Sequence, residues 1–156
     1  MSKELITKFY EAFKSGEGET MASMYHQDAL FSDPVFQNLN GTEAGAMWQM
    51  LIERAKGDLK IEFHSVEDTE DETTCVWEAR YRFSKTGRPV HNVIKSTMIF
   101  LDGEIINHQD EFDFWKWSRM ALGAPGVFLG WTPIIKNKVQ DMAKKGLEDY
   151  LNANAK

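Results

Sequence analysis

Tyr25-His26-Gln27-Asp28-Ala29-Leu30-Phe31-Ser32-Asp33-Pro34-Val35-Phe36 decides the fold of this chain. Met21, Met24 and Tyr25 carry a short helix from about residue 19, which His26-Gln27-Asp28 breaks. Ala29 to Ser32 then reads as a short strand. Asp33-Pro34 ends it, because the residue before a proline is pushed toward extended geometry. A polar loop follows, and Asn40-Gly41-Thr42 opens a third helix with Thr42 as its candidate cap. Ala46, Met47, Met50, Leu51 and Arg54 continue that helix to about Lys56, and Gly57 stops it. Upstream, Leu5, Ile6, Phe9, Ala12 and Phe13 recur at helical spacing over residues 3–15. Gly16 supplies a left-handed cap there.

Downstream the period changes from 3.6 to 2. Leu59, Ile61, Phe63 and Ser65 alternate along one strand. Cys75, Trp77, Ala79, Tyr81 and Phe83 alternate along the next, against Glu78, Arg80 and Arg82 on the other face. Residues 90–101 form a long strand. Asp102-Gly103 is a two-residue hairpin, and the last strand runs from Glu104 to about Phe114. A helical turn over residues 115–122 and the breaker cluster Gly123-Ala124-Pro125-Gly126 follow. A terminal helix over residues 133–151 carries Ile134, Ile135, Val139, Met142, Leu147 and Tyr150. Helices on one side of a curved, mostly antiparallel sheet make an α+β domain. The concave space between the two layers is a usual place for a ligand. The expectation is one domain over residues 1–156, with a core over about 3–117 and a helical extension over about 118–156.

The bulk properties narrow the function. A formal charge of -6 argues against nucleic acid, which needs a dense basic face, and against an anionic membrane surface. The single cysteine, Cys75, allows no disulfide within the chain, and the N-terminus carries no signal-peptide pattern. The compartment expected is therefore the cytoplasm. Four scattered histidines lack metal spacing, and His108-x-Asp110 alone falls short of the three or four converging ligands a metal needs. No metal and no cofactor are expected.

The quoted segment, with its aromatic residue, acidic turn, Ala, strand and Asp-Pro, resembles the corresponding stretch of ketosteroid isomerase-like proteins. Gly41-Thr42-Glu43-Ala44 resembles the Gly that opens their third helix. The closing stretch, Leu101-Asp102-Gly103-Glu104-Ile105-Ile106-Asn107-His108-Gln109-Asp110-Glu111-Phe112-Asp113, is similar to the last hairpin of the polyketide-cyclase (SnoaL-like) and limonene-epoxide-hydrolase branches. The resemblance covers roughly residues 3–117. It implies the cone-shaped nuclear transport factor 2-like (cystatin-like) fold, whose members include isomerases, cyclases, hydrolases and non-catalytic binders. By that resemblance Asp33 stands at the isomerase general base. The isomerase tyrosine falls at Phe9, with Tyr10 next door. The oxyanion-hole acid falls near Ser96, between Lys95 and Thr97. The base is thus kept and the oxyanion hole is not, so steroid isomerisation itself is not implied. The epoxide-hydrolase pattern asks for an Asp–Arg–Asp network, for which Asp110 or Asp113 is available, but alternation turns Arg80 away from the aromatic face.

Each candidate has a plain alternative. Asp33 is either a base raised by an apolar wall or an Asp accepting backbone N–H bonds in its own turn. His108, Asp110 and Phe112 share a strand face with Ile106. On the concave side His108 and Asp110 form an acid–base pair; on the convex side they face solvent or a partner. Phe9, Tyr10, Phe13, Trp77, Tyr81, Ser96, Met98 and Phe112 line the pocket, or are simply its core. Glu78, Arg80 and Arg82 form a solvated face or a homodimer contact through the outer sheet. The aromatic tail, with Trp115, Trp117, Phe128 and Trp131, either closes the cone or packs on a partner chain. Two functions follow. One is an enzyme acting on a small, mostly apolar carbonyl or epoxide compound, with Asp33 as base and His108 or Asp110 as partner acid. The other is a non-catalytic ligand-binding or dimeric assembly module using the same pocket.

Overall fold

A computed structural model describes residues 2–154, so Met1, Ala155 and Lys156 of the expected domain lie outside the described residues. Three helices come first: α1 (Ser2–Lys14), α2 (Gly18–Ser23) and, after β1 (Tyr25–Ser32) and the short β2 (Leu39–Asn40), α3 (Gly41–Ala55). Strands β3 (Lys60–Asp68), β4 (Thr73–Arg82), β5 (Pro89–Leu101) and β6 (Glu104–Glu111) follow as an antiparallel meander. The chain closes with α4 (Phe114–Leu122), α5 (Ala124–Leu129) and α6 (Pro133–Asn154).

The six strands form one sheet in the order β2-β1-β6-β5-β4-β3. All neighbours are antiparallel except β1 and β6, which run parallel. The parallel pair brings the strand ending at Asp33 beside the strand carrying His108. Irregularities in three pairings, within β1, within β3 and opposite Ile99–Phe100, interrupt the ladders. Such bulges bend the strands and raise the local twist. At the β3 irregularity Ser65 takes a left-handed φ of 57° and faces solvent, while Val66 packs against the core, so the alternation through Ser65 ends there.

Three local expectations change. β1 begins at Tyr25, and His26-Gln27-Asp28 belong to the strand instead of ending a helix, because the register shift between Tyr25 and Leu30 absorbs them. The cap of α3 is Asn40, not Thr42. Asn40 Oδ1 accepts from the Glu43 N–H at 2.8 Å, and Glu43 Oε1 accepts from the Asn40 N–H at 2.9 Å, a reciprocal capping box. The Gly123–Gly126 cluster turns the chain without ending helical structure: Gly123, at φ 71°, reverses it, and Pro125 sits in the first turn of α5.

Ile6, Phe9 and Phe13 of α1 and Met47, Trp48 and Met50 of α3 are buried against the concave face of the sheet. A second apolar cluster joins the extension to the open end of the cone. Phe114, Trp117 and Ala121 of α4 pack there with Val90, Phe83 and Tyr81, and with Ile135 and Val139 of α6.

Candidate functional site

The meander lays inward-facing residues out in rows across the sheet. Thr73 pairs with Met98, Met98 with His108, and His108 with Phe31. In the next row Cys75 pairs with Ser96 and Ser96 with Asp110. Across the parallel pair Ser32 is opposite Gln109, so Asp33, one residue on, reaches the level of Asp110. The end of β1 with β5 and β6 thus brings an imidazole, two carboxylates and a hydroxyl to neighbouring positions of the sheet.

His108 and Asp110 face the concave side and are fully buried. The third inward residue of β6 is Ile105, not Ile106, since the shift opposite Ile99–Phe100 changes the alternation before His108. Phe112 continues past the strand end and is half-buried between the two apolar clusters.

The hydrogen bonds fit a neutral His108 imidazole protonated on Nε2. Trp48 Nε1–H donates to the Tyr25 hydroxyl at 2.7 Å, and the Tyr25 hydroxyl lies 2.8 Å from His108 Nδ1. With its oxygen accepting from Trp48, Tyr25 donates its own proton to Nδ1. His108 then carries its proton on Nε2, which faces Asp110 Oδ1 at 2.8 Å and Ser96 Oγ at 3.1 Å. The Tyr10 hydroxyl donates to Ser96 Oγ at 2.8 Å. Phe9, Phe31 and Trp48 surround the imidazole, with the Phe9 and Phe31 rings edge-on and the Trp48 ring stacked.

One end of this network is open. Asp110 Oδ2 is buried with no hydrogen-bond partner among the described residues, and so is the indole Nε1 of Trp77. A buried carboxylate oxygen without a donor costs on the order of 1–3 kcal/mol, so it calls for an explanation.

Asp33 combines its two alternative readings. Its Oδ1 accepts from the N–H groups of Val35 at 2.7 Å and Phe36 at 2.6 Å, the turn expected of an Asp before proline. Desolvation outweighs those bonds and, with the nearby Asp110 charge adding to it, pushes the Asp33 carboxyl up to about 7. Burial also holds the Tyr10 and Tyr25 hydroxyls well above their ordinary range, so both stay protonated donors. The Cys75 thiol is pushed up to about 12, mainly by desolvation, which leaves it a small core residue with no nucleophilic character.

The remaining candidates separate by depth. Phe9, Tyr10, Phe13, Trp77, Ser96 and Met98 are buried in the core, whereas Tyr81 stands half-buried at the rim. There Trp117 Nε1–H of the extension donates to the Tyr81 hydroxyl at 2.8 Å, and the Gln140 side-chain amide Nε2–H donates to the Pro34 carbonyl at 2.9 Å. The extension is therefore seated on the edge that Asp33-Pro34 and Tyr81 form. An open groove of about 620 Å³ lies elsewhere, between α3 and the end of α6, and none of Asp33, His108 and Asp110 lines it. Arg80 is on the outer face, 3.7 Å from Glu62, and Asp113 caps α4, so neither joins the site.

Sequence reasoning missed Trp48 and Phe31 as neighbours of His108 and gave Tyr25 no role. The signals were present: Ala44, Met47, Trp48 and Leu51 follow helical spacing, and Tyr25, Ala29 and Phe31 fall at odd positions of one strand.

A family model described as a SnoaL-like domain matches residues 6–108. No curated protein matches the chain in sequence. Among solved structures, IdmH of Streptomyces antibioticus, a candidate polyketide cyclase, is 23% identical with a TM-score of 0.62, over 78% of this chain and 97% of its own. A Catenulispora acidiphila protein with a ketosteroid isomerase-like fold is 13% identical with a TM-score of 0.61, over 83% and 98%. A nuclear transport factor 2-like protein of unknown function from Burkholderia pseudomallei is 14% identical with a TM-score of 0.64, over 77% and 98%. At these identities the likeness establishes the fold. It also shows that these neighbours are almost wholly covered while about a fifth of this chain has no counterpart in them.

Proposed function

The chain belongs to the SnoaL-like domain family, and from that premise we propose that it is an acid–base enzyme acting on a small, mostly apolar carbonyl or epoxide compound inside the cone. The observation that carries this reading is the unpartnered Oδ2 of Asp110, buried on the row that Asp33 completes. A structural network would satisfy both oxygens of a buried carboxylate. A site awaiting a substrate's hydroxyl or N–H group leaves one of them open.

The roles follow from the environments. Asp33, with its carboxyl pushed up to about 7, is matched to taking a proton from a substrate carbon or hydroxyl. Asp110 Oδ2 orients the substrate. His108, held between Tyr25 and Asp110, is a positioning residue that fixes Asp110 Oδ1 through its Nε2–H. The apolar wall of Phe31, Trp48 and Met98 selects a substrate with little charge. No step requires a cofactor.

Asp33→Asn keeps the Oδ1 acceptor for Val35 and Phe36, so the variant is expected to retain its melting temperature and lose turnover by about 10²-fold or more. The measurement is activity of both proteins on a compound that the wild type converts. Equal rates would exclude Asp33 as the base.

A second reading has its own support. The extension seals the rim through the Trp117–Tyr81 and Gln140–Pro34 contacts, as expected of a binding or assembly module that retains a ligand. In that case native mass spectrometry finds a retained hydrophobic molecule and no compound is turned over. Leu30 of β1 and Val93, Ile99 and Leu101 of β5 stand exposed on the outer face of the sheet, and a homodimer is proposed to form across that face.

A further inference from the structure

The turn from α4 through α5 into α6 exposes side chains that a soluble surface seldom shows. Phe128 is 73% exposed, Trp131 71% and Ile134 71%, with Val127, Leu129 and Trp115 each more than 40% exposed beside them. They are held together as one feature. Trp115 Nε1–H reaches the Val127 carbonyl at 3.4 Å, and Trp131 Nε1–H donates to the Phe128 carbonyl at 3.0 Å. Both indoles therefore direct their polar group to the backbone of α5, and their rings can leave water without stranding a donor. A contiguous apolar patch of this kind marks an interaction site.

The charge around the patch identifies the partner. From Trp115 to Lys145 the chain carries Lys116, Arg119, Lys136, Lys138, Lys144 and Lys145 against Asp141 alone, a local +5 on a chain of -6. On α6 the helical period puts Ile134, Lys138, Met142 and Lys145 along one side, and the neighbouring Ile135 and Val139 pack into the fold. The β4–β5 hairpin adds to the same region: the Arg88 Nε–H donates to the Met120 carbonyl at 2.9 Å, and the guanidinium lies against Gly123 at the start of α5. Glu148 and Asp149 lie about 20 Å from Ile134 along α6 by helical rise, and Asp149 pairs with Lys145 at 3.3 Å, so the cations nearest the turn are Lys116, Arg119, Lys136 and Lys138.

We infer that the Val127–Ile134 turn docks the protein onto an anionic lipid surface, its aromatic residues entering the headgroup region and the surrounding lysines and Arg88 meeting lipid phosphates. Tryptophan and phenylalanine on one side with lysine and arginine around them are the chemistry of interfacial membrane binding. The whole-chain charge argued against an anionic membrane, but the acidic residues responsible lie mainly outside this region. No helix among the described residues is long and apolar enough to cross a membrane, so the contact is peripheral. A protein partner would meet the patch as well as a bilayer does, but the surplus of lysine favours a continuous anionic surface.

The test is co-sedimentation of the full chain with vesicles of phosphatidylcholine alone and of phosphatidylcholine with phosphatidylglycerol, at low and high salt. Wild type is expected to bind the mixed vesicles, to bind the neutral ones far more weakly, and to be released as salt rises. Phe128→Ser with Trp131→Ser is expected to weaken binding about tenfold or more, at an unchanged melting temperature because both side chains stand mostly in water. Absence of binding to the mixed vesicles, or equal binding by the variant, overturns the inference. So does sedimentation velocity showing that the wild type self-associates through this patch, the double variant does not, and neither binds vesicles.

Discussion

Asp33 divides its work between its two oxygens. Oδ1 holds the turn, accepting from Val35 and Phe36, and Oδ2 is the oxygen given to substrate in the proposed function. The turn half of this was legible from Asp-Pro alone, through the geometry proline imposes and the habit of Asp in turns. The raised carboxyl was not, because it depends on Asp110 and the apolar wall converging from strands far apart in sequence. Tyr10 shows the same limit. An ungapped reading puts Phe9 at the isomerase tyrosine position, yet it is the neighbouring Tyr10 that donates a hydroxyl to Ser96. A stability comparison separates the two roles of Asp33. Asp33→Ala leaves two N–H groups without their acceptor and is expected to cost about 1–3 kcal/mol, while Asp33→Asn stays within about 1 kcal/mol of wild type. Chemical denaturation of both variants reads the difference.

At the level of elements, the helix order, the meander and the tight Asp102-Gly103 hairpin were readable from periodicity and turn residues. The start of β1 was not, since its first residues are polar and only pairing with β6 makes them a strand. The cap of α3 was readable and overlooked: Asn40-x-x-Glu43 is a capping-box spacing. Gly41 follows because a Cβ there would run into the His26 carbonyl, which ties the start of α3 to β1. Asn40→Ala removes the side chain that accepts from Glu43, with an expected loss of about 1 kcal/mol. For a domain of this size that lowers the melting temperature by about 2–4 °C, a shift that calorimetry resolves.

In the whole molecule, a family domain is closed at its rim by an extension that carries an exposed aromatic and basic turn between α5 and α6. Composition showed the aromatic tail but not which of its faces turns inward. Trp117 closes the cone and Trp131 stands in water because the reversal at Gly123 places them on different sides, which no periodicity within one helix reveals. Burial of Asp33 also reaches the whole fold through its proton. Its carboxyl sits at about 7 in the fold against 3.8 in the unfolded chain, so between those values the folded protein holds a proton that the unfolded chain has released. The contribution of Asp33 to stability is therefore greatest below about 4, falls as pH rises toward 7, and is flattened in Asp33→Asn.

The account rests on a desolvated carboxylate at Asp33, beside Asp110 and within reach of the cone interior. Carbon-13 NMR titration of the side-chain carboxyls tests it directly, with the Asp33 resonance assigned by its absence in Asp33→Asn. The expected midpoint is near 7, while a midpoint near the ordinary 3.8 would show a solvated turn residue and contradict the proposed base.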